Sequence, residues 1–276
     1  MVVEYLILAV IGLAAGIVGA LVGLGGGIIL VPATLFVGIN LGLIDGITPQ
    51  TVVGLSVIMM IFTGLASTLS YMKTKTIDYR SGLIFFAGSV PGTLVGAFVN
   101  KGLDLPSFNF YFGILLIILS TLLLVRKYLK PVSWFVNHGK KRTFVDNRGE
   151  TFVFGYPVWF ALLLTFGVGF ASGLFGIGGG SIIVPAMILL FLFPPHVAVG
   201  TSMFMVFLSA MANSITHISL GNVPWLYTIP VVPAAYIGAK LGAMLNQKMK
   251  SETLVLALRI ILLILGIRSI IDGIMG

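Results

Sequence analysis

Cysteine is absent from the 276-residue chain, which excludes disulfides and thiolate metal sites. Charge is scarce as well. Only 9% of the residues are charged, against about 25% in an ordinary soluble domain. The three histidines, His138, His196 and His217, have no metal-ligand spacing, so neither a metal nor another cofactor is expected. Acidic residues number eight with none deep in an apolar run, which argues against the buried carboxylates of a cation pump. Paired carboxylates and nucleophile–base pairs are also missing at membrane depth, so nothing favours an enzyme.

Hydrophobic residues make up 58% of the chain, in repeated runs long enough to span a bilayer. The composition is that of a polytopic membrane protein. The net charge of +8 is gathered in a few short loops, as expected of cytoplasmic loops facing anionic lipid and not of a nucleic-acid binder. Glu4 replaces the basic start of a signal peptide, so the first run reads as a retained helix.

The most informative stretch is GLGGGIILVP, Gly23 to Pro32, which returns 153 residues later as GIGGGSIIVP, Gly176 to Pro185. Each sets a triple glycine inside an apolar run. Within a bilayer, irregular backbone is tolerated only where protein covers it or it lines a cavity. Paired interruptions therefore mark the places where main chain meets a substrate.

Residues 3–38 and 156–193 each read as helix, break and helix. Helices are expected at 50–72, 80–100 and 107–128, and again at 197–219, 224–246 and 252–272. The polar segment 129–155 divides an N-terminal repeat, 1–128, from a C-terminal repeat, 156–276. Two further matches support duplication: PQTVVGLS (Pro49–Ser56) with PHVAVGTS (Pro195–Ser202), and PGTLVGA (Pro91–Ala97) with PAAYIGA (Pro233–Ala239). Placing the basic loops at 73–80, 126–148 and 248–250 in the cytoplasm requires each broken run to start and finish on one side. The expected fold is an all-α polytopic membrane protein of two inverted-topology repeats, each a glycine-broken helical hairpin plus three transmembrane helices. If a broken run crossed once, the repeats would instead be parallel.

Candidate substrate-binding residues follow from these breaks. The amides that open the helices after Gly25, Gly26, Gly27 and after Gly178, Gly179, Gly180 suit an oxyanion, and glycine lets backbone approach it. Ser56, Thr201 and Ser202 place hydroxyls early in the following helices. Ser209, Asn213 and His217 share one helix face at four-residue spacing, and Asn213 and His217 join the candidate set. Tyr71 aligns with His217, and Gln50 with His196. Gly12/Gly16, Gly19/Gly23, Gly92/Gly96, Gly169/Gly173 and Gly238/Gly242 read as helix-packing pairs. Lys240 and Arg259 are within reach of the membrane surface by snorkelling.

The paired glycine motifs, the segment Gly200–Trp225 and the repeated Pro-x-x-x-x-Gly-Ala segments resemble the sulfite exporter family, TauE/SafE. The resemblance covers nearly the whole chain outside 129–155. The second half carries the motif through Gly200, Thr201, Ser202, His217, Gly221 and Trp225. The first half departs at Leu55, Tyr71 and Lys75. The resemblance implies a cell-membrane permease for sulfite and organosulfonates such as sulfoacetate. The expectation is a secondary transporter exporting a small anionic substrate, with the lipid bilayer as its surroundings and no nucleic acid. An anion channel and a non-transporting assembly factor are the alternatives, and a homodimer through the glycine-rich faces is left open.

Overall fold

The computed structural model describes residues 2–125, 134–137, 139–145, 149, 151–246 and 252–275. In the first half, α1 (Val2–Val22) ends at the glycine break, and α2 (Gly27–Leu35) follows and continues as a π-helical turn, Phe36–Asn40. Next come α3 (Pro49–Lys73), α4 (Tyr79–Lys101) and α5 (Leu105–Val125). The second half repeats the order with α7 (Val158–Phe175), a break, α8 (Gly180–Leu189), α9 (Pro195–Ser219), α10 (Trp225–Asn246) and α11 (Glu252–Met275). Among the described residues, seven helices are long and apolar enough to cross a membrane. The protein is a multi-pass, all-α membrane protein with almost no sheet.

Local chemistry accounts for the helix limits. Gly23, Gly25 and Gly26 have φ of 83°, 84° and 92°, and Gly176 and Gly178 have 65° and 77°. L-residues avoid this left-handed region, so glycine ends α1 and α7 at these points. The helix α3 starts with a capping box in which Thr48 and Thr51 exchange bonds, followed by Pro49 at the first helical position.

Between the halves, the segment expected as a plain linker is in part structured. A four-residue helix α6 (Trp134–Asn137) leads to strands β1 (Lys140–Val145) and β2 (Thr151–Tyr156), paired antiparallel. The hairpin docks by its aromatic residues. The Phe154 and Phe193 rings are tilted against each other with centroids 3.8 Å apart, and the Tyr156 ring centroid lies 4.9 Å from that of Phe191 and 5.2 Å from that of Phe85. The Gly155 amide donates to the Phe191 carbonyl. Arg142 pairs with Asp78 at 3.4 Å, Tyr156 donates to Ser81 at 2.6 Å, and Ser81 donates to Asp78.

Glycine-to-carbonyl contacts set how the long helices pack. On α1, a Cβ at Gly12 or Gly16 would meet the carbonyl of Val231 or Ala235 on α10, and Gly238 and Gly242 sit the same way on Leu13 and Ile17. The helices α4 and α7 repeat the arrangement: Gly92 and Gly96 lie on Phe166 and Phe170, and Gly169 and Gly173 on Ser89 and Thr93. The four-apart glycines are therefore packing surfaces. Gly19 differs, since it packs against Gly25 and Gly26 of its own break.

These contacts also correct the internal alignment. Gly92 and Gly238 occupy equivalent positions, not Pro91 and Pro233. The true match is GTLVGAFVN (Gly92–Asn100) with GAKLGAMLN (Gly238–Asn246), one helical turn from the pairing the prolines suggested. From Pro49 onward the two halves thus keep one offset of 146 residues.

Equivalent helices run antiparallel. Near its start, α3 sets Gly54 against Asn222, beyond the end of α9. After its end, Thr76 meets Gly200 near the start of α9. The helices α5 and α11 are likewise opposed: Ser120 bonds the Arg259 carbonyl, and Ser269 bonds that of Asn109.

Candidate functional site

The two breaks meet. A Cβ on Gly27 would collide with the Gly176 carbonyl, and one on Gly180 with that of Gly23. Gly25 and Gly178 both touch Met60, at the middle of the 25-residue α3, and Gly25 touches Val206 at the middle of the 25-residue α9. The leading amides of an α-helix have no acceptor within the helix. The first bonds of α2 run from Ile29 and Leu30 to the Gly26 carbonyl, and that of α8 from Ile183 to Gly179, so the amides just before them lead each helix. Gly26 also lies against Ala15 and Gly19, so the chain turns back beside α1.

All six glycines of the triplets are buried. Gly26 faces the Ala15 carbonyl and Met59, and Gly179 faces only the side chains of Val168 and Met205. In this conformation the glycines let the breaks approach one another, and the space a Cβ would need holds protein.

The carbonyls left over at the ends of α1 and α7 are capped by side chains in equivalent pairs. Ser202 donates to the Gly23 carbonyl at 2.6 Å, and Ser56 to that of Gly176 at 2.8 Å. Asn246 donates to Leu21 at 2.6 Å and Asn100 to Leu174 at 2.8 Å. Tyr71 donates to Ala20 at 2.9 Å, while His217 Nε2 lies 3.3 Å from the Gly173 carbonyl. That contact requires the proton on Nε2, leaving Nδ1 to accept from Asn222 at 3.1 Å. The first two pairs cross between halves, and the third stays within each.

Of the expected residues, Ser56 and Ser202 join the glycines at the junction. Thr201 does not: its hydroxyl accepts from the Asp78 amide at 2.9 Å, beside the loop that leaves α3. His217 lies toward the end of α9 and Asn213 one turn before it, both away from the junction's centre. Lys240 lies on an exposed face of α10. His196 sits edge-on to Phe152 of the hairpin, whereas Gln50 donates to the carbonyls of Asn100 and Leu103. Asn100, Asn246 and Thr63, which donates to the Gly25 carbonyl at 2.9 Å, were not among the candidates. The shared Gly-x-x-x-Gly-Ala-x-x-Asn pattern was the available signal for the two asparagines.

A cavity of about 460 Å³ lies elsewhere, where the end of α2, the start of α5 and the end of α11 meet. Arg268 is stacked on Phe36 at 4.0 Å there, and none of the eleven expected residues lines it.

Two glycine-broken helices meeting between paired, antiparallel spans define a membrane protein of the transporter class. A family model described as "Sulfite exporter TauE/SafE" matches residues 8–269, and the chain belongs to that family. It is 49% identical over 271 residues to the "Probable membrane transporter protein YunE" of Bacillus subtilis, covering 98% of this chain and 99% of that one. It is 27% identical over 271 residues to the "Probable membrane transporter protein MJ0441" of Methanocaldococcus jannaschii, covering 95% and 93%. A plant relative, the "Sulfite exporter TauE/SafE family protein 6" of Arabidopsis thaliana, is 36% identical over 88 residues, 31% of this chain and 20% of that protein. No solved structure matches.

Proposed function

We propose that the protein is a secondary transporter exporting small sulfur oxyanions or organosulfonates, of the sulfite and sulfoacetate class, across the cell membrane. One observation carries this reading: the starts of α2 and α8 meet at the middle of α3 and α9. A helix start carries roughly half a positive charge and suits an anion. The helix starts at Gly25–Gly27 and Gly178–Gly180 are the proposed cradle, bordered by Ser56 and Ser202, with the Gly25 amide itself turned back to the Gly19 carbonyl at 3.4 Å. The helices form two equivalent trios, α1–α10–α3 and α7–α4–α9, joined across α3 and α9. Rocking one trio against the other opens the junction to one side at a time.

The antiparallel course of equivalent helices supports inverted repeats, with the hairpin end in the cytoplasm where the basic loops lie. Proteoliposomes carrying the purified protein test the assignment with sulfite, sulfoacetate, taurine, sulfate and acetate. Saturable flux of a sulfur anion, accelerated by unlabelled anion on the opposite side, is the expected result. Flux proportional to concentration throughout would indicate a channel, and no flux of any of the five would overturn the transport assignment.

A further inference from the structure

The inner faces of α3 and α9 carry four equivalent pairs of polar residues: Ser56 and Ser202, Thr63 and Ser209, Ser67 and Asn213, Tyr71 and His217. Three pairs are committed to protein. The first and last cap carbonyls as described, Thr63 bonds the Gly25 carbonyl, and Ser209 shares a bond with Ser89 at 3.0 Å. The remaining pair is different. Ser67 is 0% exposed and Asn213 1% exposed, yet the Ser67 hydroxyl and both polar atoms of the Asn213 amide have no hydrogen-bond partner. Among the described residues this is the one equivalent pair with both members in that condition. Burying such groups unpaired is unfavourable, and a purely structural position would favour an apolar side chain.

The pair's location points to a role. Ser67 lies one turn beyond Thr63 and one before Tyr71, on the face that looks at the end of α1. Asn213 lies one turn beyond Ser209 and one before His217, on the face that looks at α4 and the end of α7. Because α3 and α9 run antiparallel with the glycine junction at their middles, the two residues stand on opposite sides of it. Ser67 is toward the hairpin end and Asn213 toward the other.

We infer that Ser67 and Asn213 are the hydrogen-bonding ligands of two equivalent stations for the transported oxyanion, one on each side of the glycine junction. This rests on the transport reading above for the solute and on the side-chain geometry for the positions. A hydroxyl and an amide each donate to an anion without fixing a charge beside it, so the solute is held and still released. Asn213 offers two donors where Ser67 offers one, and the two stations therefore differ in strength.

The absence of cysteine makes the inference directly testable, since Ser67→Cys and Asn213→Cys each introduce a single thiol. Oriented membrane vesicles are treated with sulfonatoethyl methanethiosulfonate, a membrane-impermeant organosulfonate, and labelling is read by mass. The S67C thiol is expected to label from the hairpin face and the N213C thiol from the opposite face. Thr165→Cys, at a buried hydroxyl bonded within its own helix, should not label. Absence of labelling at both stations, or labelling of both from one face, overturns the inference. A second measurement does not depend on the thiols. Asn213→Leu should lower kcat/KM for sulfoacetate at least tenfold in proteoliposomes while the melting temperature holds or rises, and Asn213→Ser should restore most of the rate. Wild-type transport by N213L would also overturn the proposal. Two-sided labelling with no flux of any sulfur anion would leave the stations standing and overturn the solute class instead.

Discussion

At the scale of single residues, the side chains around the breaks are mostly caps for main-chain carbonyls. Asn100 and Asn246 show this best, each closing the end of the broken helix in the other half. Removing such a donor leaves a buried carbonyl unpaired, at about 1–3 kcal/mol. Asn100→Ala is accordingly expected to lower the melting temperature in detergent by several degrees. Asn246, less buried, should lose less on the same substitution. The hairpin supplies a titrating contact outside the spans. Burial pushes the Tyr156 phenol above its ordinary value of 10.0, opposed by the Ser81 hydroxyl and the Arg142 guanidinium. The unfolded phenol therefore releases its proton first as pH rises. Its contribution is whole below pH 10.0 and falls away above it. Melting curves of wild type and Tyr156→Phe should run parallel through neutral pH and converge above that value.

Elements set stricter demands. Gly180 faces the Gly23 carbonyl, so Gly180→Ala forces one break away from the other and is expected to cost about 1–3 kcal/mol or more. Gly179, with φ of −65° and only the side chains of Val168 and Met205 nearby, should accept alanine at a smaller cost. Comparing the two by thermal unfolding separates crowding of main chain from crowding of side chains. A similar contrast holds at the hairpin: Arg142→Ala should speed protease cleavage within 140–156 while the spans stay intact, since Arg142 holds the strands to Asp78. Sequence reading located the long helices because apolar runs bounded by glycine, proline and charge leave little choice of limits. It missed the hairpin, where polar residues obscure the alternation that marks a strand, and the docking aromatics are scattered through distant segments. It placed Pro91 opposite Pro233, a turn out of register, because proline is conspicuous while Asn100 and Asn246 gain meaning only from the carbonyls they reach. The convergence of the breaks was legible in the paired glycines. Thr201 pointing to Asp78, and Ser67 pointing to no partner, depend on packing that no local pattern encodes.

For the whole molecule, antiparallel equivalents mean that one set of contacts is used twice in opposite directions. Among the differences between the halves are the hairpin at one end, and Tyr71, Ser67 and Leu55 where the other half has His217, Asn213 and Thr201. If these set the direction of transport, exchanging Ser67 and Asn213 should alter the ratio of forward to reverse sulfoacetate flux in oriented vesicles without abolishing it. An unchanged ratio would show that this pair does not set directionality.

The exchange of caps has a consequence for either half made alone. Ser202 and Asn246 finish the break of the first half, and Ser56 and Asn100 finish that of the second. A polypeptide of half this length would be left with raw helix ends. It would cover them only by pairing with a second copy running antiparallel to it, each supplying the serine and asparagine the other lacks.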